Sequence, residues 1–475
     1  MSKNVDRKQM NMRLATLVGL AALAAVSSPV WSEDLQKLTI RNVTVLPMTN
    51  DGRPMPHATV EIADGHIISV TPTLPGKACS KGCIDGTGKW LIPGLTDAHV
   101  HLENDRLLQL YMGLPQEPHG AVQTADVFVP YVAHGITQVF DLSAMPQTFL
   151  QKSDVEAGRA IGPHIVTAYM LDGPKPIWPE GMSHGIPNPE AGRQAVRDAS
   201  DEGYDLIKIY SLVDLPTFLA IVDEAGKHGM KVIGHIPGRN QGMTSSFLVP
   251  GFDAVAHAEE FAYQTPSPDE TKIAAYTEMA KASHTALVST LTVDDQILNE
   301  TADPGSLKQR TDLDYENPML RAIVLDHNPY VAQADPSRIE FLKSVVAFNK
   351  KLVKAFSDAG VPVMAGTDSP VPGVAPGFAL IDELEALKAA GLSDYQVLYS
   401  ATRAPCDWLG ANSDCGTIEV GKRADLVLLD ADPTKDISNV RKISTVIIMG
   451  QPHSDAELDR LMADLKARFG AGSAK

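Results

Sequence analysis

Two histidines one residue apart close an apolar run in the stretch "LIPGLTDAHVHLEND" (91–105). In a strand, residues i and i+2 share a face, so His99 and His101 present two imidazoles side by side while Val100 turns into packing. Neutral imidazoles beside carboxylates are donors for a divalent metal, although a lone His-X-His pair serves packing as readily. Four further polar residues interrupt or close later apolar runs: Lys208 in "DLIKIYS", His235 in "KVIGH", His257 in "AVAH" and Asp368 in "VMAGTD". Taken singly, a histidine at a strand end satisfies backbone groups and an aspartate after Gly-Thr caps a helix. Six such residues meeting on one rim are a metal site, and a set richer than four favours two ions over one. Lys208 is the odd member, because burial and neighbouring cations both disfavour an ammonium. Carboxylation by carbon dioxide would make it an anion whose two oxygens can bridge two cations.

Such a rim needs a scaffold that brings strand ends together. Eight short apolar runs follow Trp90: "LIPGLTDAHVH", "GITQVFDLS", "HIVTAYML", "YDLIKIYS", "KVIGHI", "DAVAHA", "TALVSTLTV" and "VPVMAGTDS". Amphipathic segments such as "LPTFLAIVDEAGKHG" separate most of them. Strands alternating with helices eight times predict an α/β fold, a (β/α)8 TIM barrel over residues 90–410, whose chemistry sits at the C-terminal ends of the strands. Before it, "LTIRNVTVLPM", "ATVEIADGHIISV" and "CIDGTGKW" alternate as strands; after it, "GTIEVGKRADLVLLDADP" and "ISTVIIMGQ" do the same. Residues 33–89 and 411–455 are therefore expected to join as a small β-sandwich, with 456–475 as a C-terminal helix or tail.

The N-terminus differs from the rest. Lys3, Arg7, Lys8 and Arg13 precede "LATLVGLAALAAV" and "SSPVWSED", the marks of a secretory signal peptide over residues 1–32 cleaved after Ser32. That places the mature protein in the periplasm or outside the cell, with no later segment apolar enough for a membrane. In an oxidising compartment the four cysteines favour two local disulfides, Cys79–Cys83 and Cys406–Cys415, over a zinc cluster, since neither pair has zinc-finger spacing. A net charge of −17 argues against nucleic acid and anionic membranes as partners and leaves a small-molecule substrate. A homo-oligomer is compatible with the sequence.

"PGLTDAHVH", "IKIYS", "VIGHIP", "AVAHAEE", "MAGTDSP" and "ATRAPCDWLG…GTIEVGKRADLVLLDADP" together resemble the metal-dependent amidohydrolase superfamily, in its imidazolonepropionase-like and prolidase-like branch. The resemblance spans about Leu38 to Gln451. It implies two divalent ions, zinc being the expected pair, with His99 and His101 on one and His235 and His257 on the other. Carboxylated Lys208 would bridge them, and Asp368 would lie beside the first. This departs from imidazolonepropionase itself, which uses one metal and no bridging lysine.

The implied reaction is cleavage of an amide or peptide C–N bond in a dipeptide or N-acyl amino acid, by a hydroxide held between the metals. Asp368 would carry the proton to the leaving amine, and Tyr210, two residues past Lys208 on the same face, would donate to the oxyanion. Trp178 and His184, in the Pro- and Gly-rich "LDGPKPIWPEGMSHG" after the third strand, are candidate substrate contacts. His134, His228 and His284 read as surface residues, and Glu259 and Glu260 as structural. An esterase or lactonase would need the same site. A deaminase would need an acid soon after His235, where "IPGRNQG" offers none. N-terminal sequencing of exported protein is expected to begin at Glu33; a chain that retains residues 1–32 would contradict the signal-peptide reading.

Overall fold

The computed structural model describes residues 37–471 apart from 51, 77–78, 81, 117, 119 and 239–241. The expected signal peptide, residues 1–32, lies outside the described residues.

All eight expected barrel strands form. In order they are Leu95–Val100, Ile136–Asp141, His164–Asp172, Leu206–Ile209, Lys231–Gly234, Ala254–Ala256, Ala286–Val288 and Val363–Met364. Neighbours pair in parallel in that order. Helices begin where capping chemistry allows. Asn188, Asp214 and Asp335 accept backbone N–H bonds at the starts of Pro189–Glu202, Leu215–His228 and Pro336–Asp358, each with a proline in the first turn.

The terminal segments combine into a β-module beside the barrel. Its strands follow one hydrogen-bonded path: Gln451–Ser454, Ile443–Ile448, Leu426–Leu429, Trp90–Pro93, Leu38–Val45, Met55–Ala63, His66–Pro72, with Cys83–Asp85 alongside Leu38–Val45. The sheet curls until His66 pairs with Arg423, and it encloses a core of its own that includes Ile40, Val60, Ile67, Leu426 and Ile447. One run behaves differently from its sequence reading. "LIPGLTDAHVH" is not a single strand: Trp90–Pro93 hydrogen-bonds into the module, and only Leu95–Val100 enters the barrel. The C-terminal helix runs Asp455–Ala471. Cys79 is bonded to Cys83 and Cys406 to Cys415, with Cα–Cα distances of 5.3 and 5.9 Å. Among the described residues, no helix is long and apolar enough to cross a membrane.

The barrel closes between its eighth and first strands. Ala98 N donates to Ala365 O at 2.9 Å, Asp368 N to His99 O at 2.7 Å and His101 N to Ser369 O at 2.7 Å. The fully buried Asp97 carboxylate reinforces the seam, accepting from Thr367 N at 3.0 Å, Thr367 Oγ1 at 2.7 Å and His99 N at 3.3 Å. Replacing Asp97 by Ala strands the Thr367 hydroxyl and His99 N in a buried interior, an expected loss on the order of 3 kcal/mol, which urea unfolding of the variant beside the parent would read. An unchanged midpoint would mean that the seam does not rely on this carboxylate.

Candidate active site

Alternation along the strands sets which side chains reach the barrel mouth. In the fourth strand Ile207 and Ile209 pack outward against the helices, while Leu206 joins the barrel interior. Lys208 and Tyr210 continue the inward face of Leu206, two and four residues on. The first strand departs from strict alternation. Its register with the second slips between Asp97 and Val100, so Ala98 lies in the interior while Val100 packs outward. The extra residue of this bulge re-aims the strand end, and His99 and His101 both turn toward Asp368. Gly366 permits the eighth strand to come this near, since a Cβ there would lie 2.5 Å from Val288 and 3.0 Å from His99.

The four histidines form a chain across the mouth. Ring centroids lie 5.3 Å apart for His99–His101, 4.5 Å for His99–His257 and 5.0 Å for His257–His235. Asp368 Oδ1 lies 3.1 Å from His99 Nε2 and 3.0 Å from His101 Nε2. One ligand atom from each of these three residues falls within 4.8 Å of the others. Neither ring nitrogen of the buried His99 has a partner in hydrogen-bonding geometry. Three residues of the site, His257, Thr290 and Asp368, hold left-handed backbone at φ 81°, 45° and 58°. Such strain in non-glycine residues gathers where function demands a fixed geometry.

Hydroxyl groups from adjacent strands orient the rings. His101 Nδ1 meets Ser143 Oγ at 2.6 Å, His235 Nδ1 meets Ser211 Oγ at 2.9 Å, and His257 Nδ1 meets Thr290 Oγ1 at 2.9 Å. With Nδ1–H donating to the hydroxyl, Nε2 carries the lone pair that a metal needs. Glu260 adds a carboxylate on the fifth strand's histidine: its Oε1 lies 3.2 Å from His235 Nδ1, and its Oε2 accepts from Ile236 N at 3.0 Å. Sequence reasoning missed these partners, apart from a structural role for Glu260. A signal was present, because Ser143, Ser211 and Thr290 each stand two residues past the end of a strand.

Burial governs the protonation states. It holds the His99 and His235 imidazoles well below their ordinary pKa, with the Lys208 charge adding to the effect, and brings His257 down to about 4. These rings are neutral at neutral pH, the form that binds metal. Lys208 is 1% exposed and forms no ion pair among the described residues. Burial pushes its amine down to about 8, against the pull of Asp368 and Glu260. Burial also works to raise the Asp368 carboxyl, but His99, His257 and His101 outweigh it and hold the group well below the usual range. The donor set therefore fits divalent cations, and an amine titrating near 8 fits reaction with carbon dioxide.

The remaining candidates divide. Tyr210 stands at the mouth with its ring 4.2 Å from that of His235, and Trp178 hydrogen-bonds to it. His184 is not brought to the cluster. It stacks on Tyr169 at 4.0 Å and approaches Glu180, and Tyr169 lies on the outward face of the third strand, packed with Tyr204. A two-residue pairing of His184–Gly185 with Leu171–Asp172 fixes it there. His228 and His284 are exposed as expected, whereas His134 is only half-exposed: it packs on Phe378 at 4.1 Å, and burial lowers its pKa to about 4.

The sequence model of the amidohydrolase family matches residues 90–452, the whole barrel and the returning strands of the module. The chain belongs to the amidohydrolase family. Membership supports a hydrolase acting on C–N bonds, and the family generally uses divalent metals. Solved structures share the fold. A putative prolidase from Bifidobacterium longum is 23% identical with a TM-score of 0.65, over 91% of this chain and 99% of that one. A bottromycin amidohydrolase is 22% identical with a TM-score of 0.72, over 92% of each chain. A Xaa-Pro dipeptidase with methionine bound in its active site is 19% identical with a TM-score of 0.67, over 88% of this chain and 100% of that one. No curated protein matches the sequence.

In protein metal sites a carboxylate behind a ligating histidine holds the ring in place, and its loss weakens metal binding by about 10- to 100-fold. Glu260→Gln keeps an acceptor for Ile236 N but removes the charge behind His235. Chelator competition against the parent is expected to show a weakening of that size, with a melting temperature near the parent's. Equal affinities would leave Glu260 with a packing role only.

Proposed function

We propose that this amidohydrolase cleaves the C–N bond of a small amide, a dipeptide or an N-acyl amino acid, with two divalent metal ions, in the periplasm or outside the cell. The convergence of six donors at one barrel mouth carries the reading. His99 and His101 would hold one ion and His235 and His257 the other, with carboxylated Lys208 between them and Asp368 beside the first. When bound, the ions supply Lewis acidity and a water acidic enough to act as nucleophile near neutral pH.

The chain's own groups do the rest. Asp368, its carboxylate kept ionised by the surrounding imidazoles, takes a proton on its oxygen and returns it to the leaving nitrogen. Tyr210 keeps its proton, since burial raises its pKa, and donates that hydroxyl to the carbonyl oxygen as negative charge develops there. Trp178 holds Tyr210 in place through their hydrogen bond. Deamination is disfavoured because the carboxylate nearest His235, Glu260, is engaged by that ring and by Ile236 N. Esters and lactones need the same groups and are the natural control substrates.

Protein prepared with zinc and bicarbonate is expected to approach two metal equivalents, and Lys208→Ala to lose metal and turnover together. A stoichiometry near one, with Lys208→Ala still active, contradicts the bridging lysine. Asp368→Asn is expected to keep its fold and most of its metal while turnover falls about 10²–10⁴-fold. If Asp368 only holds the strand end in place, the variant would lose ~1 kcal/mol of stability with nearly normal turnover. Steady-state kinetics beside a thermal melt separates the two.

A further inference from the structure

We propose that Asp172 is a positioning residue that ties two rim loops into an apolar clamp, so that the substrate carries a large apolar group beside its scissile bond. The inference rests on the C–N hydrolase reading above and adds the class of substrate.

Asp172 ends the third strand with no exposed surface. Its Oδ1 accepts from Gly173 N at 2.9 Å and from Leu212 N at 2.7 Å, and its Oδ2 accepts from Ile177 N at 2.9 Å. One carboxylate thus holds the loop after the third strand and the loop after the fourth. The loops touch at Gly173, where a Cβ would sit 2.3 Å from the Leu212 carbonyl oxygen. Farther along the first loop, Arg106 Nη2 donates to Glu180 O at 3.0 Å and pins it to the helix after the first strand.

Held this way, Ile177 and Leu212 leave 54% and 49% of their surfaces in water. Trp178 follows Ile177 directly and Tyr210 lies two residues before Leu212; both join Leu107, Met145, Met170 and Met182 in one apolar cluster. The two exposed side chains therefore adjoin, within two residues of chain, a cluster that reaches the Tyr210 ring, 4.2 Å from the ring of His235. Backbone bonds to a buried carboxylate stop the lip from collapsing inward, so its apolar area is covered only when something apolar enters from outside. Unbranched methionines adapt to more than one shape. The clamp then selects apolar bulk rather than one outline.

Full-length protein loaded with zinc and bicarbonate is assayed on two dipeptide series, X-Gly and Gly-X, with X as Ala, Leu, Phe, Lys or Asp. In one series Leu and Phe are expected to exceed Ala, Lys and Asp in kcat/KM by about 10- to 100-fold. Ile177→Ser/Leu212→Ser, at two exposed positions, is expected to abolish that preference through KM rather than kcat. Asp172→Asn should do the same, because its single amide oxygen can accept from Leu212 N or from Ile177 N but not from both, which releases one of the two loops; if this variant fails to fold, the surface pair decides. Equal turnover of all X by the parent, or a preference intact in the double variant, overturns the clamp and leaves the C–N hydrolase standing. No turnover of any amide, ester or lactone by metal-loaded protein overturns that reading, and the clamp falls with it.

Discussion

The seam between the first and eighth barrel strands is the constraint on which the rest depends. A parallel barrel must bring its last strand to its first, and here the backbone bonds that do so run through His99, His101 and Asp368 themselves. Closing the fold and assembling half of the candidate site are one event. The Asp97 carboxylate spans the same joint from beneath, holding Thr367 and His99 together. A small shift at this joint would leave the barrel recognisable and spoil the approach of His101 Nε2 to Asp368 Oδ1. The left-handed backbone at Asp368 is tolerated because the bonds around it allow no other path.

Across the mouth the problem is electrostatic. Four imidazoles, a lysine and a carboxylate crowd one mouth, so the protein keeps His99, His235 and His257 neutral by burial and spends hydroxyl groups on orienting His101, His235 and His257. Glu260 is the exception, a carboxylate set behind His235 alone. The His235 ring thus meets a carboxylate at Nδ1, while the His99 and His101 rings meet Asp368 at Nε2.

Much of this was legible in the sequence, for a physical reason. A polar residue closing an apolar run is costly, and six such residues stand out against their neighbours. Strand positions were readable because inward and outward faces alternate, as Leu206, Lys208 and Tyr210 do. What escaped notice was what the pattern does not encode. Trp90–Leu91–Ile92–Pro93 is as apolar as the barrel strand it adjoins, so nothing local marks its transfer to another sheet. "TALVSTLTV" is rich in β-branched residues, yet only Ala286–Val288 is strand and a helix starts at Leu291, tertiary packing overriding local propensity. His184 looked like a rim residue because its loop is one, but a two-residue pairing turned its ring outward. The Asp172 bonds could not be read at all, since a buried carboxylate accepting from distant backbone amides has no local signature.

The β-module is assembled from opposite ends of the chain, and this orders events in time. Leu426–Leu429 lies directly beside Trp90–Pro93, so the strand that opens the way to the barrel has an unfilled edge until nearly the last segment exists. Pairings of such long sequence separation form slowly and late. On a ribosome, the apolar faces of Leu38–Val45 and Met55–Ala63 wait without their C-terminal partners. A chain cut anywhere in the barrel can never complete them, and an unpaired sheet edge invites aggregation. The two ends thus act as a proof of completeness: only a chain read through to the strand Ile443–Ile448 can hide its first apolar strand.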